Sequence, residues 1–287
     1  MPTFTATVEA YLAAADQPSG TLSRLAFWIG EFGDSELTAI TPDEVDAAIV
    51  RLAERGKLTH DGKRTGQNLA GSTLNRYIKQ LAQVYRFARR VRMLPRTFVP
   101  PTKGADMAPE NAHHDRFFDQ DEVEKLVALA RFLDTRWGKM EALIMTAYHT
   151  GLRKSNCLNI RWDDIDVEGG TISVAVTKNG DPHLAPLTDR VWSLLRKLPK
   201  DGAYVFSNSK GVPYEPRRLW NRIIETAGMK GRTFHGLRHS CGHRLANSGM
   251  NQAMVMKFMG HRSLGASQRY MHANADDIKR VAAEVFG

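Results

Sequence analysis

The sequence predicts a mainly α chain with a small β-hairpin in its second half, an α+β molecule of two domains. Three observations predict it. Apolar residues recur at 3/4 spacing over most of the chain, as in helices buried on one side. Period-two segments are confined to 171–176 (TISVAV) and 183–187 (HLAPL), with an Asn179-Gly180 turn signal between them. Four prolines without periodicity in 95–115 mark a linker, placed at 96–118, between a first domain over 1–95 and a second over 119–287.

The elements follow in order. Residues 5–15 and 21–32 are apolar at helical spacing. Thr41-Pro42-Asp43-Glu44 is a capping box with proline at the first helical position, opening a helix to about Glu54. Residues 56–71 (GKLTHDGKRTGQNLAG) are expected as a polar, glycine-rich loop. A longer helix then opens at Ser72 as N-cap and stops at Met93-Leu94-Pro95. Leu74, Tyr77, Ile78, Leu81, Val84, Tyr85, Ala88 and Val91 occupy one sector of it. Arg76, Lys79, Gln83, Arg86 and Arg90 occupy the opposite sector, and no acidic residue occurs from 72 to 94. In the second domain Asp119-Gln120-Asp121-Glu122 is another capping box, a helical run covers 137–149, and 189–287 is mostly helical with polar breaks.

Composition bounds the function. The 287 residues are 42% hydrophobic and 25% charged, an ordinary globular mixture. Lys and Arg number 40 against 31 Asp and Glu, a net +9. The excess is uneven: residues 1–60 carry 4 basic and 9 acidic side chains, while 61–104 carry 10 basic side chains and only Asp61. That concentration, with the acid-free basic helix face, favours contact with a phosphate backbone over a merely solvated surface. Cys157 and Cys241 supply no disulfide framework, which suits a reducing cytoplasm. No apolar run approaches the roughly 18 residues of a membrane span, and the N-terminus lacks the basic region of a signal peptide. Secreted, membrane and collagen-like classes are excluded. Neither G-x-G-x-x-G nor a Walker A segment occurs, so ATP and NAD chemistry has no support.

Three segments carry candidate chemistry: Thr150-Gly151-Leu152-Arg153, His235-Gly236-Leu237-Arg238-His239, and Met259-Gly260-His261 with Tyr270 nine residues on. A zinc reading of His239 and His243, four apart, lacks the glutamate a zinc protease needs, because Ser240 stands there. Anion chemistry fits better. His235 and Arg238, three apart, can point to one spot near a helix N-terminus, an end that favours phosphate. Arg153 joins from a distant segment, so two guanidiniums can flank one phosphodiester. Tyr270 is an oxygen nucleophile able to form a phosphoester. Tyr148, Tyr204 and Tyr214 do not follow a Gly-His pair, and Tyr77 and Tyr85 lie on the apolar face of the basic helix.

In this order the segments closely resemble the tyrosine recombinase (phage integrase) family. Its signature is an Arg in T-G-L-R, a Lys in a β-turn, an H-x-x-R box, a Gly-His pair and a downstream Tyr. The matching positions are Arg153, Lys178, His235, Arg238, His261 and Tyr270. The resemblance spans about 119–287, and the basic N-terminal unit looks like the family's core-binding domain. It implies a two-domain DNA clamp: a site-specific recombinase that cuts and rejoins DNA without metal, ATP or another cofactor. Tyr270 would form a 3′-phosphotyrosyl link between Arg153 and Arg238. His235 would accept the tyrosine proton, Lys178 would protonate the leaving 5′-oxygen, and His261 would donate to the phosphate. Lys210, in another turn, competes with Lys178 for its role. The family usually has a carboxylate at the place of Asn156 and an aliphatic residue at that of Cys157; asparagine hydrogen-bonds but forms no ion pair.

Arg76, Lys79, Arg86 and Arg90 are the expected DNA-backbone contacts. The partners implied are double-stranded recombination sites and a homo-tetramer on DNA, coupled through a C-terminal helix over about 274–286. The location implied is a bacterial or phage-encoded protein of the cytoplasm, associated with the nucleoid and not with a membrane. No arm-binding domain is expected ahead of residues 1–15. A type IB-like topoisomerase, which shares the chemistry but reseals the same strand, and a non-catalytic DNA-binding regulator are the alternatives.

Overall fold

Local capping opens a helix in each half of the chain. The Glu44 amide donates to Thr41 Oγ1 at 3.3 Å, and the Thr41 amide donates back to the Glu44 carboxylate at 2.8 Å. Asp119 and Glu122 repeat the exchange at 2.8 and 3.1 Å. Each box satisfies two amides that the first helical turn leaves without partners. The computed structural model describes residues 2–59, 61–110, 117–174 and 182–260. The chain divides into two compact units, Met1–Ala112 and His113–Gly287.

In the first unit α1 (Phe4–Ala13), α2 (Ser19–Phe32) and α3 (Pro42–Arg55) pack on α4 (Gly71–Arg90). The apolar stripe of α4 is buried against Phe4, Leu25, Trp28 and Leu37. Each large side chain so buried contributes about 1.5–3 kcal/mol. Polar atoms carried inside find partners: Trp28 Nε1 donates to the Tyr77 carbonyl at 2.9 Å and the Tyr85 hydroxyl to the Leu37 carbonyl at 3.0 Å.

Three details differ from the sequence expectation. The α4 helix starts at Gly71 behind Ala70, with no side-chain cap, so Ser72 is not its N-cap. Val91 ends outside the helix and is 43% exposed, because the stripe has run past the core. The stretch expected as a loop folds as a short exposed ribbon. Leu58 bridges Arg64, the Lys57 amide donates to the Gln67 carbonyl at 2.8 Å, and the Thr65 amide donates to the Lys57 carbonyl at 2.9 Å. Polar threonines and a Gly62 turn supply its hydrogen bonds, so it needs no apolar alternation to form. The aperiodic stretch after α4 is also partly tied down. Asn75 donates to the Ala108 carbonyl at 2.9 Å and accepts from its amide at 2.8 Å.

The second unit is built round α6 (Met140–Thr150). Every residue of that helix except Glu141 and His149 is buried. Three neighbours enclose it: α5 (Gln120–Leu133), α8 (Asp189–Leu195) and α10 (His235–Asn247). It begins three residues later than its apolar run, because the Asp134 carboxylate draws the amides of Trp137, Lys139 and Met140 into a turn at 2.9–3.0 Å. The short α7 (Lys154–Leu158) follows α6, and α9 (Arg217–Thr226) and α11 (Gln252–Met259) complete the described α-helices.

The sheet is antiparallel in the order β1-β2-β3: Ile165–Asp166, Thr171–Val174 and His183–Pro186. Thr171 pairs with Pro186 and Val174 with His183, so β2 and β3 form the expected hairpin. At two residues, β1 is too short to leave a period in the sequence. Among the described residues no helix is long and apolar enough to cross a membrane.

Candidate active site and basic helix face

The site begins with a turn. Helix α6 ends at Gly151, whose φ of +63° is the left-handed conformation that non-glycine residues rarely adopt. A Cβ there would lie 2.6 Å from Met259 Sδ and 3.2 Å from Cys241 Sγ. Glycine is therefore required twice, by its backbone and by the closeness of α10 and α11. The turn releases Leu152 into the core and sets Arg153, half-buried, at the N-cap of α7.

Arg238 sits in the first turn of α10 and is 4% exposed. Its Nη1 donates to the Gly151 carbonyl at 2.5 Å and its Nη2 to the Met259 carbonyl at 2.7 Å. One guanidinium thus ties the turn before Arg153 to the end of α11, where Gly260 (φ +61°) closes the helix and His261 follows in the chain. Charge-assisted bonds to carbonyls are among the stronger ones. This clasp joins the Arg153 turn, the H-x-x-R helix and the Met259-Gly260 end of the third segment across separations of 87 and 21 residues.

His235 is the first residue of α10. It is exposed, with its ring edge-to-face on His239 at 4.7 Å. His243 is stacked on Phe117 at 4.2 Å and lies 3.2 Å from Asn247 Nδ2. Asn156 and Cys157 are buried directly behind Arg153. Burial pushes the thiols of Cys157 and Cys241 up to about 12, although Arg238 opposes it, so both stay protonated. Tyr148 is 3% exposed, and burial raises its pKa against the nearby Arg244 guanidinium. Tyr85 is buried and raised in the same way. Burial disfavours the ionised form of both phenols. Lys178, His261, Tyr270 and the expected helix over 274–286 lie outside the described residues. Lys210 is exposed in a turn held by Asn208, whose side-chain oxygen accepts from the Lys210 amide at 2.8 Å.

One residue near this site was not anticipated. Strand β3 places His183 on the same face as buried Ala185, while Leu184 between them is 65% exposed. His183 therefore looks toward the arginines. Burial lowers its pKa first, followed by the charges of Arg238 and then, after an opposing hydrogen bond to the Phe258 backbone, Arg153. The signal available in the sequence is a polar residue on the inward register of a strand next to the hairpin turn.

In the first unit Arg76, Lys79, Arg86 and Arg90 are all exposed along α4, together with Gln83. Lys79 approaches Glu110 at 3.9 Å, and the Arg90 guanidinium lies over the Phe87 ring at 5.5 Å. An outward row of cations on a helix that carries no carboxylate of its own, approached only at Lys79 by Glu110 among the described residues, suits a polyanion rather than solvent alone.

Comparison with known proteins adds to this geometry. Residues 116–277 match the model of the phage integrase family. The chain is 30% identical over 232 residues to the tyrosine recombinase XerC of Lactobacillus delbrueckii subsp. bulgaricus, covering 75% of this chain and 76% of that protein. Its fold is similar to that of the Tn1549 transposon integrase in complex with transposon right-end DNA. The TM-score is 0.78 at 16% identity, over 100% of both chains. It is also similar to lambda integrase in a tetramer bound to a Holliday junction, with a TM-score of 0.69 at 17% identity over 94% of this chain and 78% of that one.

Proposed function

The chain belongs to the phage integrase family of tyrosine recombinases, and on that premise we propose how its own residues carry site-specific DNA recombination. The family's reaction proceeds through a 3′-phosphotyrosyl intermediate. The observation that carries the assignment to residues is the Arg238 clasp, which gathers the Arg153 turn, the H-x-x-R helix and the start of the His261 segment at one place.

The scissile phosphodiester binds between Arg153 and Arg238. A guanidinium keeps its charge at any working pH, so both neutralise the non-bridging oxygens as charge builds there. Tyr270 Oη attacks phosphorus and its proton passes to His235, which stands exposed at the N-terminus of α10. The bond to the 5′-oxygen breaks, and Lys178 supplies the proton that makes it a free 5′-hydroxyl. His261 donates a hydrogen bond to the phosphate. The phosphotyrosyl ester conserves the bond, so a 5′-hydroxyl from a partner strand reverses the sequence and releases Tyr270 without ATP. The domain over 119–287 is assigned the chemistry and that over 1–95 the hold on DNA. There Arg76, Lys79, Arg86 and Arg90 contact backbone phosphates. The functional unit is a tetramer on DNA, and the segment over 274–286 is assigned to contacts between neighbouring protomers.

A nicked recombination site tests the assignment. The native protein should be trapped covalently on the DNA, and Tyr270→Phe should abolish the adduct on a denaturing gel. An adduct of undiminished yield from Tyr270→Phe overturns it.

A further inference from the structure

Taken with the reading above, on which it rests, the geometry points to His183 as a positioning residue for strand cleavage. We propose that its imidazole latches the β2–β3 hairpin, between whose strands Lys178 lies in the sequence, to the end of α11, which His261 follows in the sequence. The two proton-bearing groups would then reach the same phosphate that Arg153 and Arg238 hold.

Four observations carry this. His183 opens β3 and pairs with Val174 across the hairpin, so it sits at the end of the ladder nearest the turn. Its ring hydrogen-bonds the Phe258 backbone, in the last turn of α11. The ring also lies flat against Gly260: a Cβ there would meet Nδ1 at 3.2 Å and Cε1 and Cγ at 3.4 Å. Among the described residues Nε2 is buried and has no hydrogen-bond partner. A ring donating toward α11 through Nδ1, with the opposite nitrogen enclosed, is held by one edge in one orientation. That is the arrangement of a tether, not of a group meeting solvent.

The charge of the ring agrees. Burial and the two arginines hold the pKa of His183 below the usual histidine range. The imidazole is therefore neutral at neutral pH and adds no third cation to the phosphate site. Its part is mechanical: the hairpin and the α11 terminus are separate elements, and among the described residues no backbone hydrogen bond joins β3 to α11. Outer groups that orient a catalytic residue typically change rates 10–100-fold when removed, by comparison with metal ligands held the same way.

The test compares three variants in cleavage of a nicked site and in DNA affinity. Asparagine places an N–H donor where histidine has Nδ1, and glutamine places its amide at the position of Nε2. His183→Ala and His183→Gln should slow adduct formation about 10–100-fold with DNA affinity changed less than about threefold, and His183→Asn should restore the rate to within about threefold of native. A second readout needs no activity. Gly260→Ala should lower the melting temperature, and lower it less in a His183→Ala background, because the atoms nearest the new Cβ are then gone. Equal rates for the asparagine and alanine variants, a loss seen in affinity instead of rate, or additive melting shifts would overturn the latch. If the native protein forms no adduct, the recombinase assignment fails, and the melting cycle still decides the contact itself.

Discussion

The chain uses arginine in two opposite ways. On α4, Arg76, Arg86 and Arg90 stand in solvent along one face of a surface helix. In the second unit Arg238 is 4% exposed and bonded to two backbone carbonyls. The first kind acts through charge at a distance, is screened by salt, and tolerates exchange between basic residues. The second ties parts of the fold together through hydrogen bonds: its charge, its planar fork and its two partners are needed together. On the proposed function, binding strength would be divisible among the α4 cations, whereas the clasp joining Gly151 to Met259 rests on one side chain.

The sharpest way to break this contrast is to remove Arg238. Arg238→Ala leaves the Gly151 and Met259 carbonyls without their donor, at a cost of about 1–3 kcal/mol for each buried group. It should lower cleavage about 10²–10³-fold or more, as for loss of a preorganised charge donor. Arg238→Lys keeps the charge but reaches only one carbonyl well, so it should remain impaired in cleavage while the same exchange at Arg76 changes binding little. Equal tolerance at the two positions would erase the distinction.

Gly151→Ala probes the same assembly from the other partner. The left-handed φ alone costs about 1–2 kcal/mol, and the 2.6 Å approach of Met259 Sδ adds to it. Thermal unfolding should show a loss of about 2–4 kcal/mol. A neutral result would mean that α11 moves away freely from the turn.

Arg76→Ala combined with Arg86→Ala should weaken DNA binding about equally across sequences. It should also flatten the slope of log affinity against log salt by about 2, close to one unit per phosphate contact. Fold and melting temperature should hold. An unchanged salt slope returns α4 to an ordinary solvated face.

The smallest effect expected is in pH. Burial first, then Arg244 and Arg190, lowers the pKa of His149, whose Nδ1 lies 3.0 Å from Thr188 Oγ1. The unfolded chain then binds a proton more readily than the folded one. The stability it contributes is present above the ordinary histidine value near 6.5 and is lost as pH falls from there through the lowered folded-state value. His149→Gln should make the decline in melting temperature between about pH 7 and 5 shallower than in the native protein.

Much of the fold is legible locally. The Thr41 and Asp119 capping boxes, the two sectors of α4 and the β2–β3 hairpin are all written within a few residues, because helical and strand periods and turn chemistry act over short separations. The order of the candidate segments is equally visible, and it sufficed for the family resemblance that residues 116–277 then matched. Less legible were features whose cause lies elsewhere in the chain. The ribbon over 57–67 is held by threonine and glutamine hydrogen bonds rather than by alternation. The late start of α6 is set by Asp134.

The sequence by itself determined which side chains could meet a phosphodiester, and in what chemical roles, because residue identity and short spacing define charge, nucleophilicity and helix face. Tertiary structure alone decided that Arg238 clasps Gly151 and Met259, that Gly151 admits no side chain, and that His183 lies against Gly260. Those contacts join residues 87, 21, 108 and 77 positions apart. No local period encodes such separations; they arise when the core round α6 packs and brings distant segments to one place.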